Sequence, residues 1–301
     1  MGKVAFVFSG QGAQHPGMGR SLYENYPSVK KLFDEAESVR SGTLGMCFDS
    51  TDEELKKTDN TQPCLYLCDL AAALALKEEG VCADACAGFS LGELSALAYA
   101  GAYPYLDGFR ISCYRGAEMA KAPAASMLAV LKLSDEEVCN SLKDINGAWA
   151  VNFNSPGQVV VSCLDSALSA VAAKLKEAGG RVMPLKVGGG FHSPLMEDAS
   201  EKFAEYIKKF NITKPVLPVY ADRTAEIYSA SPTNELPLQM KSPVKWRLLI
   251  EKMYKDGFDT FIECGVGNTL VGLIRRILPD AAVYSATDTE EIKNAARNLL
   301  S

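Results

Sequence analysis

The chain of 301 residues is expected to fold as an α/β protein in two units. A large unit with a mostly parallel sheet takes residues 1–123 and 188–301, and a small antiparallel unit is inserted at 124–187. Three observations carry this expectation. On both sides of the insert, short apolar runs that read as strands alternate with longer helical patterns, the rhythm of parallel sheets. Within 124–187 the order becomes βαββαβ. At 88–92 a Gly-x-Ser-x-Gly stands where a strand-like run turns into a helical pattern. With 48% hydrophobic residues the chain can bury one large core, or one large and one small.

The first strand is Val4-Ala5-Phe6-Val7-Phe8. It is too short for the apolar core of a signal peptide, and Phe6 stands where a myristoylation motif needs Ser or Thr. A glycine-rich loop at 9–19 follows, but it contains neither Gly-x-Gly-x-x-Gly nor Gly-x-x-x-x-Gly-Lys-Ser/Thr, so it is a poor phosphate cradle. Its other use is to aim a backbone N–H, that of Gln11, into the cleft at the carboxyl end of a strand. A helical stretch begins near 21–26, and charge-rich surface helices are expected at 22–38 and 53–58. From 62 to 79 the residues Leu65, Leu67, Leu70, Ala71, Leu74 and Leu76 leave no polar stripe, which predicts a helix buried on most sides and ended by Gly80.

In Cys86-Ala87-Gly88-Phe89-Ser90-Leu91-Gly92-Glu93-Leu94 the glycines flanking Ser90 permit a strained strand-to-helix turn. Such a turn lifts the Ser90 hydroxyl off the sheet and leaves free N–H groups, including that of Leu91, where negative charge can develop. The same five residues also describe a glycine-bounded helix start without chemistry. A helix at 106–120 carries Tyr114-Arg115-Gly116. Inside a mostly apolar face, Arg115 reads either as a structural partner for a carboxylate or helix end, or as a bidentate clamp for a substrate carboxylate.

The insert opens with a strand at 126–133, and Ser134-Asp135-Glu136-Glu137 forms a capping box for a helix to 143. Strands at 149–154 and 158–163 flank the turn Pro156-Gly157. Asp165 is expected to cap a helix through 177, Gly179-Gly180 to close it, and 181–187 to form the last strand. This order is that of a ferredoxin-like module, a small second domain with a cleft beside it.

After Gly188-Gly189-Gly190-Phe191-His192-Ser193 a helix runs to about 210. The chain has two histidines, His15 and His192, so a histidine base for Ser90 must be one of them. His192 follows a glycine run that permits an unusual fixed backbone and is favoured; His15, beside a proline in a loop, reads as a surface residue. The remainder alternates strands at 216–220, 260–263 and 282–285 with helices at 235–240, 244–255 and 269–278. Lys241, Lys245, Arg247, Lys252, Lys255, Arg275 and Arg276 make this third basic, either as a solvated face or as a surface for an acidic partner.

The formal charge of -6 argues against general binding to nucleic acid or an anionic membrane. No apolar run reaches the roughly 18 residues of a membrane helix. The nine cysteines include pairs Cys64/Cys68 and Cys82/Cys86, spaced by four and with no histidine nearby, so no metal site is expected. Free thiols in a cytoplasmic protein are the expectation.

Several separated motifs occur together: Gly10-Gln11-Gly12-Ala13-Gln14, Thr61-Gln62-Pro63, Gly88-Phe89-Ser90-Leu91-Gly92-Glu93, Tyr114-Arg115-Gly116, Asn154-Ser155-Pro156-Gly157-Gln158, Phe191-His192-Ser193 and Gln239-Met240-Lys241-Ser242-Pro243-Val244-Lys245-Trp246. In this order and over almost the full length, the chain resembles the malonyl-CoA:acyl-carrier-protein transacylases of bacterial type II fatty-acid synthesis. The resemblance implies an α/β-hydrolase-like large domain, Ser90 as nucleophile and His192 as base. It implies an oxyanion hole from the N–H groups of Gln11 and Leu91, and a histidine ring held by the backbone carbonyl of Gln239. Arg115 matches the arginine that pairs with the malonyl carboxylate, Gln62 a pocket glutamine, and Phe191 a bulky residue of malonyl-selective members. The implied substrates are malonyl-CoA and the phosphopantetheine thiol of an acidic acyl carrier protein, docking near Lys245, Arg275 and Arg276, with no tightly bound cofactor. Phe89 departs from the family pattern, which usually has His there; acyl selectivity or rate is where that difference acts. A trans-acting polyketide-synthase acyltransferase of the same fold is the alternative. An α/β serine hydrolase or thioesterase is a more distant one, for which Asp165 stands in the chain order of a triad acid. A carrier-docking subunit without activity is the non-enzymatic alternative.

Overall fold

The computed structural model describes residues 2–185 and 187–300. Its strands are β1 (Lys3–Phe8), β2 (Ala85–Gly88), β3 (Ser126–Leu131), β4 (Ala148–Ser155), β5 (Gln158–Cys163), β6 (Arg181–Leu185), β7 (Val219–Tyr220), β8 (Phe258–Cys264) and β9 (Ala282–Ala286). They form a five-stranded sheet in the order β7-β2-β1-β8-β9 and a four-stranded sheet in the order β4-β5-β3-β6. Every pairing in the first is parallel and every pairing in the second is antiparallel. The chain is therefore α/β as expected, and the second sheet has the strand order of a ferredoxin-like βαββαβ unit.

The parallel sheet is covered on both faces, so β1 and β2 are buried and read as unbroken apolar runs. The helix Thr58–Glu78 is buried from Asn60 to Leu76, which explains its missing polar stripe. It starts four residues before the expected point, with Pro63 inside its second turn. The expected helix at 22–38 is two helices, Arg20–Asn25 and Pro27–Val39. Pro27 takes the first position of the second helix and holds Tyr26 extended, at φ -124° and ψ 118°. The strand expected at 216–220 shrinks to β7, because Pro218 offers no N–H to a ladder and Val216 is 84% exposed.

In the small sheet the capping box is formed, with Ser134 and Glu137 each bonding the other's backbone N–H. Asp165 is not a cap. It opens a 3-10 turn, Asp165–Ala167, and its carboxylate accepts the Ser126 hydroxyl at 2.8 Å. Of the strand expected at 181–187, β6 covers Arg181–Leu185, and Lys186 lies outside the described residues. The small sheet is tied to the large unit through β4: Val244, in the loop before the helix Trp246–Lys255, donates to Val151 O and accepts the Phe153 N–H, both at 2.9 Å. This seam fixes the wall of a cleft between them. No described helix is long and apolar enough to cross a membrane.

Candidate active site

Because β1 and β2 are parallel neighbours, their carboxyl ends open on the same edge, with the 9–19 loop leaving one and Ser90 the other. The turn between β2 and the helix Gly92–Tyr99 admits only glycine at its two flanks. A Cβ at Gly88 would lie 1.9 Å from the Gly92 carbonyl carbon, and one at Gly92 would lie 2.2 Å from Phe8 O. Between them Ser90 has φ 56°, a left-handed conformation that a side chain adopts only where its surroundings hold it there. The glycines are thus the condition for a nucleophile elbow, not merely punctuation.

His192 reaches the same point from the far end of the chain. It too is left-handed, with φ 59°, and its N–H donates to Met240 O at 3.1 Å. Its Nδ1 lies 3.0 Å from Gln239 O and its Nε2 lies 2.7 Å from Ser90 Oγ. A carbonyl can only accept, so the proton belongs on Nδ1 and Nε2 is left to accept the Ser90 hydroxyl. Burial, followed by the positive charge of Arg115, lowers the imidazole pKa to about 4. The ring is therefore neutral and able to take a proton at neutral pH.

Arg115 is buried and aims its guanidinium at the serine. It donates to Gln62 Oε1 at 2.9 Å, to Gln239 Oε1 at 2.9 Å and to Ser90 Oγ at 3.3 Å. No carboxylate forms an ion pair with it among the described residues. Burial lowers its pKa to about 10, with the charge of Glu93 working against the drop, so it stays ionised near neutrality. A buried cation bonded to neutral amides beside a serine hydroxyl can receive an anionic group.

Gln11 and Leu91 line a cavity of about 320 Å³ together with Ser90, Arg115 and His192. Among the described residues neither backbone N–H donates to a protein acceptor. The loop carrying Gln11 is pinned from below by buried Asp69, which accepts the Ser9 and Ser95 hydroxyls at 2.7 and 2.8 Å. Gln62, Phe89 and Phe191 also line the cavity, and β4 contributes Asn152 and Asn154. The Phe89 ring meets Trp246 edge-on, with centroids 5.4 Å apart.

All nine predicted site residues thus line this cavity or bond to its lining. His15 does not join them; it is exposed, and its Nδ1 lies 3.0 Å from Pro16 O. Asp165 is committed to Ser126, and the position a triad acid would take is filled by the Gln239 carbonyl. Arg275 and Arg276 are exposed on the helix Thr269–Ile277, whose Leu270 and Leu273 face the cavity. All nine cysteines are free, and no described group of three or more His, Cys, Asp or Glu is placed to hold a metal.

Sequence reasoning missed a buried polar layer behind the serine. Asp222 Oδ2 accepts the Ser90 N–H at 2.6 Å, Glu93 Oε1 accepts the Tyr228 hydroxyl at 2.6 Å, and Gln239 Nε2 donates to Ser90 O and Glu93 Oε2, both at 2.7 Å. A charged residue at the start of the otherwise apolar run Leu94-Ser95-Ala96-Leu97-Ala98 was the available signal for Glu93. Asp222 gave none.

The acyl transferase domain family matches residues 5–294. The malonyl CoA-acyl carrier protein transacylase of Bacillus subtilis (strain 168) is 36% identical, over 99% of this chain and 98% of that protein. The crystal structure of the malonyl CoA-acyl carrier protein transacylase from Clostridium perfringens Atcc 13124 superposes with a TM-score of 0.95 at 32% identity, covering 99% of this chain and 97% of that one. A malonyl-transacylase solved in complex with its type II PKS acyl-carrier protein gives a TM-score of 0.93 at 30% identity, covering 98% and 99%. Likeness of this extent, in sequence and in backbone alike, means that the chain belongs to the acyl transferase family and, within it, to the malonyl CoA-acyl carrier protein transacylases.

Proposed function

We propose that this enzyme moves a malonyl group from malonyl-CoA to the phosphopantetheine thiol of an acyl carrier protein through an acyl-serine. The observation that carries the reading is Arg115, a buried guanidinium 3.3 Å from Ser90 Oγ with no carboxylate of its own in an ion pair.

Ser90 Oγ attacks the thioester carbonyl while His192 Nε2 takes its proton. The oxyanion is received by the N–H groups of Gln11 and Leu91, and the CoA sulfur leaves with the proton from His192. The malonyl carboxylate rests on Arg115, with Gln62 holding the guanidinium. The pantetheine thiol then attacks the acyl-serine with His192 again as base. A carbonyl orienter from Gln239 stabilises imidazolium less than a carboxylate does, which suits an acyl-enzyme that must wait for a second thiol rather than meet water. Phe191 crowds the extra methyl of methylmalonyl, and Phe89 closes the pocket with an apolar ring where relatives of the resembled pattern carry an imidazole. Substrates aside, the chemistry needs no bound cofactor.

The division into 1–123 with 188–301 and 124–187 is part of this reading, since the cavity draws on residues from both. So is a cytoplasmic setting, which the nine free thiols favour. Carrier docking is assigned to Lys245 and to Arg275 and Arg276, the last two on the helix whose Leu270 and Leu273 line the cavity. Reversing all three to Glu is expected to weaken transfer to the carrier and its salt dependence while sparing acyl exchange with CoA. Incubation with malonyl-CoA and purified fatty-acid or polyketide carrier tests the function directly: malonyl carrier is the expected product, and free malonate formed at the same rate with or without carrier contradicts it.

A further inference from the structure

Two fully buried carboxyl groups stand directly behind the nucleophile, and the transfer steps use neither. Asp222 follows β7 and Glu93 lies in the first turn of the elbow helix; both side chains are sealed from solvent. The Gln239 amide bridges them, donating to Glu93 Oε2 at 2.7 Å and to Asp222 Oδ2 at 3.3 Å. Glu93 receives only donors: Tyr228 O–H at 2.6 Å, Asp222 N–H at 3.3 Å and the Gln239 amide. That environment suits a carboxylate. Asp222 Oδ2 accepts the Ser90 N–H, but its Oδ1 is buried with no donor among the described residues to stabilise a charge there, which beside the Glu93 carboxylate favours the acid form.

The cation facing this pair is Arg115, held to it through Gln239 Oε1. The other titratable groups in range are His192, Tyr103 and Tyr228, and beyond Tyr228 lies Glu235, paired with Arg223. Burial keeps His192 and both phenols neutral. The empty site is then balanced, with Arg115 positive, Glu93 negative and Asp222 protonated. A malonyl carboxylate arriving at Arg115 adds one negative charge beside groups that are almost wholly buried, and an uncompensated buried charge is strongly disfavoured.

We propose that Glu93 takes up one proton from solvent when a carboxylate-bearing acyl group docks on Arg115, so that the buried site stays neutral. Burial already holds the Glu93 pKa at about 7 and that of Asp222 well above its usual value, so a nearby anion needs only to push Glu93 a little further. The proton returns to solvent when the acyl group leaves. A neutral acyl group adds no charge and calls for no proton. This inference rests on the malonyl reading of Arg115 given above.

Isothermal titration of the Ser90→Ala protein, which cannot be acylated, tests it. Malonyl-CoA and acetyl-CoA are titrated at pH 7.5 in phosphate and in Tris, whose ionisation heats differ. The two ligands share every CoA phosphate, so their difference reports the acyl carboxylate alone. Malonyl-CoA is expected to bind with about half to three-quarters of a proton more taken up than acetyl-CoA, and Glu93→Gln to abolish that excess while keeping malonyl binding. Equal uptake by the two ligands, or an excess that survives in Glu93→Gln, overturns the proposal. Should Glu93→Gln fail to fold, the parent protein still decides. The bound state holds more protons, so the malonyl-to-acetyl affinity ratio must fall between pH 7 and 9, by up to about tenfold per unit; a flat ratio overturns the proposal. No preference for malonyl at any pH is a different result, and it removes the malonyl reading together with this one.

Discussion

Replacing Arg115 with Ala separates the two roles that a buried arginine can have. The guanidinium bonds Gln62 Oε1, Gln239 Oε1 and Ser90 Oγ, so its removal strips two buried amide oxygens of their donor. Each stripped acceptor costs about 1–3 kcal/mol, a loss that every substrate shares. The malonyl carboxylate loses a desolvated charge partner as well, worth about 2–5 kcal/mol. That is a factor of roughly thirty to a few thousand in kcat/KM. Acetyl-CoA has no carboxylate and loses only the shared part, so the malonyl-to-acetyl ratio of kcat/KM is expected to fall by about thirtyfold or more. Transfer of both acyl groups to carrier, measured on variant protein whose urea unfolding remains cooperative, gives the ratio. If malonyl and acetyl transfer fall together, the guanidinium is a structural strut and the clamp is refuted. Arg115→Lys refines the result: an ammonium keeps the charge but lacks the planar fork that spans the two glutamines and pairs a carboxylate bidentately, so it is expected to recover only part of the loss.

The depressed His192 pKa makes a second prediction: kcat/KM for acylation should hold as pH falls through 6.5 and drop only towards pH 4, whereas a midpoint near 6.5 would mean that the ring is not sealed as described. The same shift acts on stability. The unfolded chain binds the extra proton between pH 6.5 and 4, so about 3 kcal/mol present above pH 6.5 is lost as pH falls through that window. Buried Glu93 and Glu263, with pKa values raised to about 7, gain stability over the same range, so the His192 part is read as the pH-dependent difference in unfolding free energy between the wild type and His192→Gln. At the elbow, Gly92→Ala drives a Cβ to 2.2 Å from Phe8 O, backbone against backbone, and is expected to cost at least about 3 kcal/mol or to prevent folding. A Gly92→Ala protein with an unchanged melting temperature would show that the turn is looser than its geometry.

The alternation of short strands and longer helices made the parallel sheet legible, and βαββαβ made the insert legible, because both are local periodicities. What the sequence reading missed has specific causes. Tyr26-Pro27 breaks a continuous helical pattern through the backbone restriction before proline, a rule available in advance but not applied. The helix Thr289–Leu300 carries Ile292, Ala295, Ala296 and Leu299 on one buried face, a helical spacing that the sequence itself displays. Asp165 looked like a cap by position, yet cross-strand Ser126 captured its carboxylate, which no local rule foresees. In the site, Ser90, His192 and Arg115 stood out because their residue types carry chemistry. Asp222 could not, since its importance lies in a bond to a backbone N–H 132 positions away.

The covalent step is the claim on which the account stands. Intact-mass measurement after adding malonyl-CoA without carrier tests it most directly. One malonyl group is expected on the wild-type chain, discharged when a carrier thiol is supplied, and none on Ser90→Ala. A wild-type chain that never gains the group while still producing malonyl carrier would contradict the acyl-serine, and so would an adduct that persists in Ser90→Ala.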